Sequence, residues 1–108
     1  MNASLESYLV AVRHPNVSPF EHLEMLMIRD SLAEQEHSLN KRERACMADA
    51  DRRLLKNAVT IHAELTRITS LEEERRQRSP SSDHWWWYLD VLSALPDIDG
   101  TSTLLEMA

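Results

Sequence analysis

Glycine occurs only once in the 108 residues, at position 100. Tight β-hairpins, phosphate-binding loops and dinucleotide-binding folds need glycine where φ is positive or where the backbone approaches a ligand closely. The scarcity of glycine therefore favours helices joined by connections of Ser, Asn and Pro. We predict an all-α fold, a small helical bundle that residues 1–108 form as a single domain.

The longest helical pattern covers residues 40–78, where neither glycine nor proline interrupts the sequence. Its apolar residues recur at alternating steps of three and four, which places them on one face of a helix. We predict a long central helix here, about 57 Å long if it is unbroken. The pattern does not establish whether the helix continues as far as Arg78. The predicted core face consists of Met47, Ala50, Leu54, Ala58, Ile61, Leu65 and Ile68.

A second helix is predicted at residues 19–37, with only a short connection to the long helix. Ser18 followed by Glu21, and Asn40 followed by Glu43, have the spacing of a capping box. Helices joined by so few residues lie adjacent and antiparallel, so we predict a helical hairpin. The residues of its first helix that are expected to face inward are Phe20, Leu23, Leu26, Met27 and Ala33.

Two shorter helices are predicted to flank the hairpin, at residues 3–13 and 83–95. The first has an apolar face but is too short to be stable alone, so it must dock on the rest of the protein. Met25 and Ile28 widen the apolar surface of the helix at 19–37, which indicates more than one neighbour. Residues 97–108 show no clear pattern of regular structure and are interpreted as a tail.

The second flanking helix contains three consecutive tryptophans and a tyrosine. At about 100° per residue, these side chains cannot share one face of a helix. A small core has little room for a helix that is apolar nearly all round, so we expect another protein, a second copy of the chain, or the C-terminal tail to cover the surplus. Trp and Tyr are also enriched among the residues that dominate protein interfaces. The predicted partner-binding residues are Trp85, Trp86, Trp87, Tyr88 and Val91.

The pattern as a whole predicts a non-enzymatic protein-interaction module, a regulator, adaptor or inhibitor that binds through the tryptophan-rich helix and a face of the hairpin. No set of residues has the spacing of a catalytic site, and we expect no cofactor. No apolar run approaches the roughly 20 residues that span a bilayer. The N-terminus lacks the pattern of a signal peptide, and the lone Cys46 cannot form an internal disulfide. We therefore expect a cytoplasmic protein without membrane contact.

A first alternative is a regulator associated with nucleic acid. The first half of the long helix is locally basic, although acidic residues are interleaved with the basic ones. The net charge of −6 argues against a dedicated nucleic-acid binder, which needs a basic surface to release counterions from phosphates. The residues that would contact nucleic acid in this reading are Lys41, Arg42, Arg44, Arg52, Arg53 and Lys56.

A second and less favoured alternative is a metal-dependent helical-bundle enzyme. Glu34 and His37 have the three-residue spacing found in di-iron bundles, and His22 and His62 could supplement them. Such bundles need this pair twice, together with a glutamate from each of two further helices. The sequence contains the pair once, so we expect no metal site.

Overall fold

The structure, a computed structural model, describes residues 1–95, and within that range it contains helices and no β-strand. The predicted all-α small helical bundle is confirmed. None of the helices in this range is both long enough and apolar enough to cross a bilayer. The predicted tail lies outside the described residues. The helices are α1 (Ala3–Arg13), α2 (Pro19–Gln35), α3 (Lys41–Lys56), α4 (Ala58–Leu65), α5 (Leu71–Arg78) and α6 (Leu89–Leu92), with single 3-10 turns at Glu36–Ser38 and Trp85–Tyr88.

Both predicted capping boxes are present, and one of them also joins two helices. Ser18 and Glu21 exchange side-chain-to-backbone hydrogen bonds at the start of α2, and Asn40 and Glu43 do the same at the start of α3. A carboxylate oxygen of Glu43 also accepts a hydrogen bond from the backbone N–H of Asn2, at 2.8 Å. The first turns of α1 and α3 are therefore held together.

The long central helix is divided into α3, α4 and α5, which corrects the expectation of one rod. The longest dimension of the molecule is 35 Å, shorter than an unbroken helix over residues 40–78 would be. Asn57 interrupts the first part, and its side chain donates to the backbone carbonyl of Arg53 at 3.0 Å. The second break falls at residues 66–70, where Ser70 caps the start of α5 by accepting from the N–H of Glu73. Local hydrogen bonds from Asn and Ser side chains compete with helix continuation at both places.

Despite these breaks, the predicted core face of the segment is largely confirmed. Met47, Ala50 and Leu54 of α3 and Ala58, Ile61 and Leu65 of α4 are buried, whereas Ile68 is half-buried in the connection. The packing order differs from the predicted hairpin, because α1 packs on both α2 and α3. Within residues 40–78, α2 packs mainly against α4. The N-terminal helix is therefore a central part of the bundle.

The inward face of α2 also differs from the prediction. Phe20 is 69% exposed and Met27 is 45% exposed, whereas Leu26 is buried as expected. Arg29 is buried and pairs with Asp51 of α3, so the inward face of α2 includes a charged residue that the apolar pattern did not identify. The buried residues of α2 are His22, Met25, Leu26, Arg29 and Leu32.

The tryptophan-rich stretch is shorter and more tightly wound than the helix predicted at residues 83–95. It consists of the 3-10 turn Trp85–Tyr88 followed by the short helix α6, and both pack on the bundle. A 3-10 turn advances about 120° per residue, so Trp86 and Trp87 point in directions that differ from those in an α-helix. We call residues 84–92 the tryptophan segment.

Candidate functional site

The tryptophan segment is fixed to α2 through a single carboxylate. Trp86 and Trp87 are 2% and 0% exposed, and each indole N–H donates to the same oxygen of Asp30 at 2.8 Å. The imidazole of His84 stacks on the Trp86 ring at 4.6 Å between centroids. Buried indole N–H groups need an acceptor, and Asp30 supplies it for both rings.

A buried ion pair lies beneath the Trp86 ring. Arg29 donates to the two carboxylate oxygens of Asp51 at 2.9 and 3.1 Å, and its guanidinium carbon lies 4.2 Å from the centroid of the Trp86 ring. The hydroxyl of Tyr8 donates to Asp51 at 2.6 Å. Burial, followed by the negative charge of Asp51, raises the pKa of Tyr8 well above its ordinary value. This cluster joins α1, α2 and α3 to the tryptophan segment.

Helix α5 holds the segment from its other side. Arg75 donates to both oxygens of Asp90 at 2.7 and 3.1 Å and to the backbone carbonyl of Trp87 at 2.9 Å. Partial burial alone would raise the pKa of Asp90, but its hydrogen bonds and charge interaction with Arg75 lower it below the ordinary value. The guanidinium of Arg78 lies 4.6 Å from the Trp87 ring centroid. Cationic side chains therefore lie against both buried indoles, a favourable arrangement for aromatic rings.

The five predicted partner-binding residues differ in exposure. Trp86 and Trp87 are buried, Trp85 and Tyr88 are half-buried, and Val91 is 51% exposed. Trp86, Trp87 and Leu89 of the segment belong to the hydrophobic core. Partner binding by the five residues stays a prediction, and the burial of two of them favours a search for another exposed surface.

A groove between α1 and α2 is a separate candidate site. It encloses a volume of about 560 Å³. Val10 and Ala11 of α1 line one wall, and Met25 and Ile28 of α2 line the other. Val10 is 57% exposed at its edge. We call this surface the α1–α2 groove.

The rim of the α1–α2 groove is acidic. Glu6 of α1 and Glu21 and Glu24 of α2 line it, and the described lining residues include no Lys or Arg. All three carboxylates belong to exposed residues. Apolar walls with carboxylates at the edge fit a ligand that is itself apolar and positively charged.

A buried histidine lies at this groove. His22 is 2% exposed, and its Nε2 has no hydrogen-bond partner among the described residues. Burial lowers the pKa of His22 below the ordinary value of 6.5, although Glu64, the Pro15 backbone and Glu21 oppose that change. A buried polar atom without a partner is uncommon in native proteins. Because this atom is closed to solvent, it belongs to the interior beneath the groove and not to the exposed groove surface.

The groove was not predicted from the sequence, although the sequence contained one relevant signal. Met25 and Ile28 were identified as widening the apolar surface of α2, and Ile28 now lines a groove wall. Val10 lies outside the apolar face of α1 and carried no signal of its own. The groove depends on the way in which α1 docks on α2, which apolar periodicity within either helix does not specify.

The residues predicted to contact nucleic acid are spread over the outer surface of α3. All six of them are exposed, and Arg53 lies 3.7 Å from the carboxylate of Asp49. Arg52, Arg53 and Lys56 converge with Arg13 of α1 around a cleft of about 520 Å³. The three at the amino-terminal end of α3 are not part of this cleft: they are Lys41, Arg42 and Arg44.

The residues of the metal-enzyme alternative are not gathered into a site. Within residues 1–95, no group of three or more His, Cys, Asp or Glu side chains could hold a metal ion. Glu34 and His37 are exposed near the end of α2, whereas His22 is buried beside the α1–α2 groove. The described residues therefore do not bring Glu34, His37, His22 and His62 together as a ligand set.

No protein-family model, no curated protein and no solved structure matches the chain.

Proposed function

We propose that this protein is a non-enzymatic protein-binding module, a regulator, adaptor or inhibitor, that docks its partner on the α1–α2 groove. The proposal keeps the predicted class of function, and one of the two walls of the groove belongs to the predicted hairpin, whose exposed face was expected to bind a partner. It replaces the buried tryptophans with an accessible surface. The observation that carries it is the apolar groove between two helices, with Val10 and Met25 on opposite walls.

The dimensions of the groove support a peptide-like partner. Its α1 wall runs from Glu6 to His14, a length of about 12 Å or two helical turns. Phe20 and Met27, seven positions apart on α2, are exposed apolar residues of the same helix. Exposed apolar surface of this kind, rimmed by charged residues, is typical of interaction sites.

Site-specific photocrosslinking tests the proposal. A photoreactive phenylalanine analogue replaces Val10 at the groove, and the same analogue replaces Val59 or Val91 in two control proteins. The three valines are matched, because they are 57%, 54% and 51% exposed. In extracts of the source organism, we expect a discrete crosslinked protein from position 10 alone. Ile28→Asp, which places a charge in the groove wall, should abolish that product.

Two outcomes would contradict the proposal. A product that persists with Ile28→Asp would mean that the partner does not occupy the groove. A product from position 91 in place of position 10 would return partner binding to the tryptophan segment. Calorimetric melting of each protein, with a midpoint near that of the wild type, establishes that the bundle is intact.

Binding of nucleic acid is the second candidate function. It is supported by the cleft where Arg13 of α1 meets Arg52, Arg53 and Lys56 of α3, with Asp49 as the single acidic residue among the described residues that line it. Basic residues also suit the carboxyl-terminal ends of helices, which gives these side chains a structural role as well. A salt-sensitive shift of duplex DNA or RNA that Arg52→Glu with Arg53→Glu abolishes would favour this function.

A further inference from the structure

We infer that the occupant of the α1–α2 groove is an amphipathic helix of another protein, about two turns long at the contact, with lysine or arginine residues flanking its apolar face. This inference rests on the proposed function and adds the chemistry of the partner. The shape of the groove favours a helix, and the charge of its rim favours basic flanks.

The two walls of the groove are formed by helices. Val10 and Ala11 on α1 oppose Met25 and Ile28 on α2, so the groove is a channel between two helices. Helices that dock in such channels place apolar residues at i, i+3 or i+4, and i+7 along one face. Two turns of a partner helix match the length of the α1 wall.

The rim of the groove carries three carboxylates. Glu6, Glu21 and Glu24 lie on both walls, with no described Lys or Arg among the lining residues. Basic residues beside the apolar face of the partner would pair with these carboxylates. Such pairs at the edge of an interface steer association and select the partner more than they add affinity.

The same charge disfavours the two occupants that this chain could itself supply. A second copy docked through the same groove would bring two acidic rims together, and like charges across an interface are costly. Residues 96–108 contain Asp97, Asp99 and Glu106 and no basic residue. That segment would also meet the rim with like charge.

Binding of three designed peptides tests the inference, with titration calorimetry as the measurement. The first peptide has leucine at i, i+4 and i+7 and lysine on the flanks, the second has glutamate in place of lysine, and the third is a scrambled form of the first. We expect the lysine peptide to bind about tenfold more tightly than the glutamate peptide at low salt, since two or three exposed charge pairs contribute about this much. The scrambled peptide should bind weakly.

Charge reversal with a matched control locates the effect. Glu6→Lys with Glu24→Lys should invert the preference between the two peptides. Glu72→Lys with Glu34→Lys changes the net charge equally but away from the groove, and Glu72, like Glu6, lies in the first turn of its helix. This control should leave the preference for the lysine peptide in place.

Mapping by NMR separates failure of this inference from failure of the proposed function. Methyl signals of Val10, Met25 and Ile28 should shift on addition of the lysine peptide. Tighter binding of the glutamate peptide at the same methyls would overturn the basic partner but keep the groove as a docking site. Shifts elsewhere, or an equal response to the scrambled peptide, would overturn both. A concentration-dependent dimer that Val10→Asp dissociates would make a second copy the occupant and overturn the inference.

Discussion

At the scale of single residues, the core depends on two aspartates that each serve several donors. Asp51 accepts from Arg29 and Tyr8, and Asp30 accepts from Trp86 and Trp87. A buried charge is costly unless its partners satisfy it. The burial of Arg29, whose side chain is 7% exposed, is therefore tied to Asp51.

Removal of one hydroxyl from this cluster should weaken the fold. Tyr8→Phe deletes a buried hydrogen bond to a carboxylate, which is worth about 1.5–3 kcal/mol. We expect the free energy of unfolding in urea to fall by that amount. Tyr88→Phe, at a half-buried ring, is the control, with an expected change within about 0.5 kcal/mol. Equal effects of the two substitutions would contradict the importance of the Tyr8–Asp51 hydrogen bond.

Asp30 gives a second prediction at this scale. Asp30→Ala leaves two buried indole N–H groups without their acceptor, so we expect a loss of about 2–4 kcal/mol in the free energy of unfolding. Asp30→Asn keeps an acceptor oxygen and should cost less. Asp49→Ala on the surface of α3 should change stability by no more than about 0.5 kcal/mol. If Asp30→Ala proves as mild as Asp49→Ala in urea denaturation, the indoles do not depend on Asp30.

Neither aspartate could have been assigned its role from the sequence. Asp30 is 56 and 57 positions from the two tryptophans that it binds, and Asp51 is 43 positions from Tyr8. Local spacing predicts contacts within a helix, not contacts between distant segments. The excess of aromatic surface was recognised, but the side chains that allow the core to absorb it were not.

At the scale of elements, the end of α5 has an unusual backbone conformation. Ser79 has φ 46° and ψ 54°, the left-handed region, and it is the only residue other than glycine with positive φ in the part of the chain that the structure describes. This position at the end of a helix is most often glycine, because a Cβ atom is unfavourable there. Serine at this position therefore makes the native conformation less favourable than glycine would.

Ser79→Gly should therefore stabilise the protein. Removal of the Cβ relieves about 1–2 kcal/mol of unfavourable conformation, and greater freedom of the unfolded chain offsets part of it. We expect the melting temperature in calorimetry to rise by a few degrees, corresponding to about 0.5–1 kcal/mol. Ser82 does not have a positive φ in the native state, so the control Ser82→Gly should leave the melting temperature unchanged or lower it.

The elements themselves were predicted more completely than their boundaries. The two capping boxes marked the starts of α2 and α3, because Ser18–Glu21 and Asn40–Glu43 are local signals. The breaks at Asn57 and at residues 66–70 were missed, because an apolar face can continue across a short interruption. The position of α1 between α2 and α3 depends on tertiary packing, which no local pattern encodes.

At the scale of the whole molecule, burial of His22 makes stability depend on pH. The lowered pKa means that the unfolded chain binds a proton near pH 6.5 whereas the folded protein does so only at lower pH. Stability from this residue is therefore fully present above pH 6.5 and is lost as the pH falls toward the lower pKa of the folded state.

We expect His22→Gln to weaken this dependence. The free energy of unfolding of the wild type should decrease as the pH falls from about 7 to about 5, and the variant should show a smaller decrease. Urea denaturation at closely spaced pH values provides the measurement. Parallel curves for the two proteins would show that His22 is not held in its neutral form by the fold.

The position of all three tryptophans in one turn gives the protein an optical reporter of its own core. Intrinsic fluorescence comes chiefly from this turn, while far-ultraviolet circular dichroism records the helices of the entire chain. If both signals change together during denaturation, closure of the turn and formation of the bundle are one cooperative event. If the tryptophan emission changes at a lower denaturant concentration than the circular dichroism, the turn opens while the helices are still folded.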